Sequence, residues 1–460
     1  MNLREQYAPE LITDLYELTM AESYLQEGMN GEATFSLFIR DYPADRSYFV
    51  SAGLESLLQI LPDFRFRDES LRYLASLGKF SARFMDYLRD FRFSGSIRAI
   101  PEGRIFFAQE PVIEVSAPII EAQIVETLVV NVIQLETMLA SKAARIAAVA
   151  SGKGMIDFGM RRTHGVEASL KASRASYLVG FLGTSNLLAG KIYGIPVFGT
   201  MAHSYITSFS SELDAFYAFA RTFPDSSVLL IDTYDCIAGA LKAVEVATSL
   251  RKEGKQLIGV RLDSGDLADL SRQVRLILDK AGFHDVKIMA SGSLDEYQIE
   301  DLLNEGARID VFAVGTRMGV SADAPYLDIV YKLVEYDGRP ILKLSTGKKT
   351  WIGKKQVCRF YRADGKMDFD RVSLLDSGRH EGEPLMELAM EAGRRVREPE
   401  SLTQIRERFS GEWQKLPEIF RSIHSDQVFP VEVSHLLEEL DSETARVKRR
   451  EEVEGFRFSP

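Results

Sequence analysis

The feature that most restricts the fold is a pattern that begins at about Gln134. From there short apolar runs alternate with segments long enough to be helices. The runs end near Asp157–Phe158, Phe181, Phe198, Asp232, Asp263, Ala290 and Val314, at intervals of roughly 17 to 34 residues. The segments between them include Cys236 to Arg251, Asp266 to Ala281 and Leu294 to Glu305. Parallel strands cannot be joined by a tight turn, so each needs a crossover, and a helix supplies it. The alternation therefore predicts a parallel α/β sheet or barrel.

The flanking regions follow a different pattern. Thr13 to Tyr24 predicts a helix entered through Thr13, with Asp14 and Glu17 near its positive end. Ala33 to Arg40 alternates as a strand, and helices are expected around Gly53 to Ile60 and Ser70 to Leu77. A strand follows near Ser94 to Ile100, then turns over the glycines and prolines between Pro101 and Pro118. Beyond the alternating region, Ile329 to Tyr336, Ile341 to Ser345, Gln356 to Arg362 and Met367 to Leu374 read as strands. Asp337–Gly338 and Asp364–Gly365, dipeptides suited to tight hairpins, separate them in pairs.

The expected architecture is α/β: an incomplete TIM-like barrel with an α+β N-terminal domain completed by C-terminal strands. The expected divisions are 1–133 for the α+β domain, 134–328 for the barrel, 329–382 for the returning strands and 383–460 for a helical, charged segment.

Composition removes several functional classes. A net charge of −11 over 460 residues argues against a nucleic-acid binder, which would normally show a basic face. Cys236 and Cys358 are too few for a disulfide framework and suit a reducing, cytoplasmic setting. No paired cysteines or HExxH spacing suggest structural zinc. The opening M-N-L-R-E-Q-Y-A-P-E has no apolar signal core. The run from Ile119 to Leu139 is interrupted by Glu121, Glu126, Asn131 and Glu136, which excludes it as a membrane span.

Chemistry concentrates where the barrel strands end, which is where sites are built in such folds. V-F-G-T-M-A-H-S-Y-I at 197–206 places His203 in a turn with Thr200 and Ser204, hydroxyls that can donate to anionic oxygens. F-G-M-R-R-T-H-G at 158–165 sets Arg161 and Arg162 beside a strand end, where one can grip a carboxylate or phosphate. L-I-D-T-Y at 230–234 and R-L-D-S-G-D-L at 261–267 put Asp232 and Asp263 after apolar runs, with Arg261 and Asp263 on one side of a strand. Such carboxylates can hold ribose hydroxyls or a magnesium-bound pyrophosphate. A-S-G-S at 290–293 and V-G-T at 314–316 end the last two strands, where barrels often hold phosphate. Taken singly, each of these is also an ordinary turn or cap, as Asp266 is expected to be. Together they describe a site for a phosphorylated sugar, a magnesium-bound diphosphate and a small anion beside one histidine.

T-D-L-Y at 13–16, A-T-F-S-L-F-I-R at 33–40, F-G-M-R-R, G-T-M-A-H-S, R-L-D-S-G-D-L and V-G-T occur in this order and resemble the nicotinate phosphoribosyltransferases. The resemblance implies that nicotinate, phosphoribosyl pyrophosphate, ATP and water give nicotinate mononucleotide, pyrophosphate, ADP and phosphate. This ligase-class reaction is the first step of NAD synthesis from nicotinate. It implies phosphorylation of His203 by ATP, with Mg2+ as cofactor. Tyr16, Thr200, Arg261, Phe158 and Arg161 would serve nicotinate, Tyr16 by stacking in the site of a second subunit. Ser291, Gly292, Gly315, Thr316 and Asp232 would serve the phosphoribosyl group. Arg261 and Asp263 would take part in catalysis with His203, and Asp232 and Asp263 are the candidates near the metal. A homodimer with shared sites is implied as well. The rivals are a nicotinamide-using relative, a quinolinate-decarboxylating enzyme and a sensor that binds without turnover. The wording around Arg161 and His203 favours the nicotinate enzyme.

Overall fold

The computed structural model describes residues 8–344, 350–378 and 381–454. The chain divides into two compact units, one formed by Met1–Met138 with Tyr326–Pro460 and the other by Leu139–Pro325. The first is discontinuous in sequence and the second is continuous.

In the first unit a helix spans Leu15–Gln26 and leads into strand β1, Glu32–Ile39, in which every residue after Glu32 is buried. Strands β2 (Phe49–Val50), β3 (Ser96–Ala99), β4 (Ile105–Phe106) and β5 (Pro111–Pro118) follow, with helices Leu54–Ile60, Asp68–Ser76 and Ala82–Asp90 before β3. The stretch from Pro101 to Pro118, expected as turns, contains β4 and β5. Pro111 and Pro118 sit at the first and last residues of β5, where a missing N–H costs little, and V-I-E-V between them supplies the strand. Helices Ile119–Ile124 and Glu126–Val149 then carry the chain out of this unit.

The second unit holds β6 (Gly154–Asp157), β7 (Gly183–Thr184), β8 (Val228–Leu230), β9 (Gly259–Leu262), β10 (Lys287–Ala290) and β11 (Val311–Val314). All pair in parallel, in the order β7-β6-β11-β10-β9-β8. The helices between them include Val166–Leu178, Cys236–Lys252, Leu267–Lys280 and Glu296–Asn304. Two expected strands differ. The run ending at Phe181 is the exit from a helix, because Gly180 turns the chain at φ +116°, and pairing starts only at Gly183. The run Ile195 to Phe198 makes a single bridge, Val197 to Thr184. Pro196 has no N–H with which to extend a ladder.

Beyond the second unit come β12 (Ile329–Tyr336), β13 (Arg339–Pro340), β14 (Lys355–Tyr361), β15 (Met367–Leu374), β16 (Glu383–Pro384), β17 (Glu387–Glu391), β18 (Arg394–Arg395) and β19 (Val431–Val433). A seven-stranded sheet has the order β13-β12-β1-β5-β3-β17-β18, so β1 lies between β5 and β12 from opposite ends of the chain. A four-stranded sheet, β16-β14-β15-β19, accompanies it. Both D-G dipeptides turn antiparallel hairpins, Asp364–Gly365 between the expected strands and Asp337–Gly338 between β12 and the shorter β13 in place of the expected 341–345. Residues 341–344 form no strand, and Ser345 lies outside the described residues. The segment from 383 onward, expected to be helical, carries β16 to β19 as well as helices Leu402–Lys415 and His435–Arg449. Ala389 to Val396 doubles back at Ala392–Gly393, both at positive φ, and this local turn outweighs the high charge that suggested helix. Among the described residues no helix is long and apolar enough to cross a membrane.

Candidate active site

The loops that follow β9 and β10, with Thr200 and Met201, converge on one guanidinium. Arg261 stands on β9, where alternation turns it to the same side as Asp263. Its Nε donates to Ser291 Oγ at 2.8 Å and its Nη1 to Thr200 Oγ1 at 2.9 Å and the Met201 carbonyl at 3.3 Å. Its Nη2 donates to Asp263 Oδ1 at 2.6 Å. The guanidinium also lies 5.7 Å from the centre of the Phe158 ring, within cation–π range. Four of five donors are satisfied, which fixes the plane of the fork and leaves one N–H unassigned among the described residues.

Asp263 links this cation to the histidine. Ser291 Oγ donates to its Oδ1 at 2.5 Å, and its Oδ2 lies 3.8 Å from His203 Nε2. Partial burial opposes its charge, but the bonds from Ser291 and Arg261 and the charge of Arg261 outweigh that. The carboxyl is held below its ordinary range. His203 opens a short helix, His203–Thr207, a feature not expected from the sequence, and its Nδ1 lies 3.1 Å from Thr233 Oγ1. Asp232 closes the group from behind. Its Oδ2 accepts from the Asp263 backbone N–H at 2.8 Å and from Ser264 Oγ at 2.7 Å, while its Oδ1 is buried with no hydrogen-bond partner among the described residues. Asp266 caps helix Leu267–Lys280, as expected.

The loops after β6 and β11 meet backbone to backbone. A Cβ on Gly159 would lie 3.1 Å from the Gly315 carbonyl, and one on Gly315 would lie 3.0 Å from that of Phe158, so both positions require glycine or displacement. Phe158 is partly buried, whereas Arg161 is exposed in the turn Met160–Arg162 and makes no ion pair among the described residues. Thr316 opens the turn Thr316–Gly319 directly after β11, next to the β10 loop that carries Ser291 and Gly292. Gly292 has φ +102°, and a Cβ there would lie 2.2 Å from the Asp263 carbonyl. Tyr16 belongs to the first unit. It is 47% exposed on helix Leu15–Gln26 and hydrogen-bonded to Glu126, and partial burial with the Glu126 and Glu17 charges pushes its phenol up.

Sequence reasoning missed two contributors. Thr233 was passed over inside L-I-D-T-Y because a hydroxyl beside an aspartate looks like part of the turn. Asp157 was noted only as a strand end. It is almost wholly buried, accepting from Gly159 N at 2.8 Å and from Ser173 and Thr184 hydroxyls at 2.7 Å each, and so fixes the Phe158 loop. Burial raises its carboxyl despite those three bonds.

Two family models match the chain: the nicotinate phosphoribosyltransferase N-terminal domain over residues 11–134 and the nicotinate phosphoribosyltransferase family over residues 154–364. The chain belongs to the nicotinate phosphoribosyltransferase family. Membership assigns it nicotinate phosphoribosyltransferase activity, a step of NAD synthesis. It is 45% identical over 456 residues to nicotinate phosphoribosyltransferase pncB2 of Mycobacterium tuberculosis (strain ATCC 25618 / H37Rv), covering 98% of this chain and 96% of that one. The Bacillus subtilis (strain 168) family member is 40% identical over 375 residues, covering 80% and 76%. The crystal structure of human nicotinic acid phosphoribosyltransferase superposes with a TM-score of 0.85 at 28% identity, covering 94% of this chain and 100% of that one. The mixed α/β architecture with a parallel sheet is therefore the family's.

Proposed function

We propose that the chain converts nicotinate, phosphoribosyl pyrophosphate, ATP and water to nicotinate mononucleotide, pyrophosphate, ADP and phosphate through a phosphorylated His203. The observation that carries this is the single cluster made by G-T-M-A-H-S and R-L-D-S-G-D: Arg261 bonded to Thr200 and Asp263, with Asp263 facing His203.

Arg261, its fork held flat by Thr200 and Ser291, keeps one N–H for a single carboxylate oxygen, and Phe158 beside it offers a face to a pyridine ring. Arg161 is a second cation for the same anion. In the ribosyl transfer, bond breaking at the anomeric carbon builds positive charge on the sugar and negative charge on the leaving pyrophosphate. The Asp232 and Asp263 carboxylates suit the sugar side, and the Gly315–Thr316 and Ser291–Gly292 turns suit the 5′-phosphate.

Mg2+ bound to the pyrophosphate would supply charge neutralisation of that leaving group. Among the described residues no group of three or more His, Cys, Asp or Glu is placed to hold a metal. The unpartnered Asp232 Oδ1 fits a single protein contact to a cation carried mainly by substrate oxygens.

In the energy-coupling step a nitrogen of His203 forms a bond to the γ-phosphorus of ATP as the bond from that phosphorus to ADP breaks. Water later cleaves the phosphoramidate and releases phosphate. The dianion added to the loop would change how Asp263 and Arg261 are paired, which gives the coupling a physical route.

We read the sheet as an incomplete TIM-like barrel, since the last strand, β11, pairs with the first, β6. We place the enzyme in the cytoplasm, where its thiols, both unpaired, would stay reduced. A homodimer is our further reading, with Tyr16 stacking on nicotinate in the partner's site. The exposed apolar side chains Leu182, Leu187, Val197 and Phe198 in the second unit support an interface.

The test is nicotinate mononucleotide formation with Mg2+, with and without ATP, by wild type and His203→Ala. Wild type is expected to work in both cases and gain markedly from ATP, and the variant to lose that gain. A wild type indifferent to ATP, or one that prefers nicotinamide, would overturn the proposal.

A further inference from the structure

Thr233 lies in the loop between β8 and helix Cys236–Lys252, and the other polar residues of that loop already have structural tasks. Asp235 caps the helix by accepting from Ala238 N at 2.8 Å, and Asp232 clamps the β9 loop. The Thr233 hydroxyl does neither. Its one hydrogen bond among the described residues is to His203 Nδ1. A hydroxyl both donates and accepts, so it satisfies Nδ1 whether or not that nitrogen carries a proton. The other ring nitrogen faces a group that can only accept, the Asp263 carboxylate 3.8 Å away. The two nitrogens therefore sit in unequal surroundings, and rotating the ring would exchange them.

We propose that Thr233 is a positioning residue for His203: its hydroxyl fixes the rotation of the imidazole, so that one nitrogen alone is presented to the γ-phosphorus of ATP. This rests on the phosphohistidine chemistry proposed above. The presented lone pair forms the N–P bond as ADP leaves, and the hydroxyl stays on the opposite nitrogen. Thr233→Val keeps the shape and removes the hydroxyl; Thr233→Ser keeps the hydroxyl and removes a methyl.

The experiment treats wild type and both variants with γ-labelled ATP and Mg2+, then separates the two phosphohistidine isomers after alkaline hydrolysis. Nicotinate mononucleotide formation without ATP is measured in parallel. Wild type and the Ser variant are expected to give one isomer. The Val variant is expected to form phosphoenzyme at least about tenfold more slowly, with both isomers present, while its ATP-independent rate stays within about twofold. If the Val variant fails to fold, Thr233→Ala carries the same expectation. A Val variant that gives the wild-type isomer at the wild-type rate would overturn the role of Thr233. So would equal losses in the ATP-dependent and ATP-independent rates. Absence of phosphohistidine from wild type would instead overturn the chemistry on which this proposal rests.

Discussion

Asp232 reaches over to Asp263, its Oδ2 accepting the backbone N–H of the second aspartate at 2.8 Å. Two carboxylates from neighbouring strand ends are thus joined side chain to main chain, so Asp263 is fixed without neutralising either charge. The Oδ1 of Asp232 is buried and has no hydrogen-bond partner among the described residues. A buried acceptor normally has a partner. Here a ligand is the natural one.

Asp232→Asn tests that assignment, because the amide oxygen can keep the bond from Asp263 while the NH2 replaces the free acceptor. The thermal midpoint should move little. The kcat/KM for phosphoribosyl pyrophosphate should fall about 100-fold, equivalent to roughly 3 kcal/mol of transition-state stabilisation. Steady-state kinetics with that substrate varied would check it; a change of under about threefold would show that Oδ1 does not meet the substrate or its metal.

Arg261→Lys keeps the charge and loses the fork. A lysine cannot reproduce the four bonds to Ser291, Thr200, Met201 and Asp263 and still face a carboxylate in a fixed plane. The KM for nicotinate is expected to rise by about 100-fold. Nicotinate saturation curves decide it, and an unchanged KM would remove Arg261 from the nicotinate contact.

Gly292→Ala should destabilise the protein without adding or removing any charge. The residue has φ +102°, and the new methyl would meet the Asp263 carbonyl at 2.2 Å. Backbone strain of this kind costs roughly 1–3 kcal/mol, and the clash adds to it. Calorimetry should show a midpoint lowered by several degrees and reduced turnover; full stability would mean that the β10 loop relaxes freely.

Glu17 gives a pH signature in the first unit. Burial pushes its carboxyl up to about 7, against hydrogen bonds from Thr127 and Thr13 and with help from the Glu126 and Asp14 charges. Between the ordinary carboxylate range and neutrality, the folded chain holds a proton that the unfolded chain has released. Stability from this group is therefore complete at low pH and lost as pH rises through about 7. The loss should be on the order of 3 kcal/mol. Denaturant unfolding at several pH values, wild type against Glu17→Gln, should show a shallower decline in the variant. Parallel curves would contradict the assignment.

Much of the second unit was legible because its strands are buried on both faces and end in polar turns. Val260 and Leu262 announce β9, and the alternation that turns them inward also aligns Arg261 with Asp263. Where backbone geometry overrode hydrophobicity, the sequence misled: Pro196 halts a strand that Ile195 and Val197 would favour, and Pro111 begins one that its neighbours disguised as a turn. Pairing between distant segments was legible only in outline. The apolar alternation of Ile329 to Tyr336 marks a strand, but nothing local to it names β1 as its partner. Thr233 was missed because what sets it apart is its distance from His203, a residue 30 positions away.

The position of β1 between β5 and β12 also bears on how the chain is made. During synthesis β5 follows β1 closely, but Ile329–Tyr336 emerges only after the whole of the second unit. At typical elongation rates of about 5–20 residues per second, one side of β1 waits on the order of tens of seconds for its partner. The continuous second unit is synthesised during that interval, while the first holds an open, apolar strand edge of the kind that recruits other chains. A ribosome stalled anywhere between Leu139 and Pro325 would leave that edge on display, and crowding on a polysome would set neighbouring nascent chains beside it.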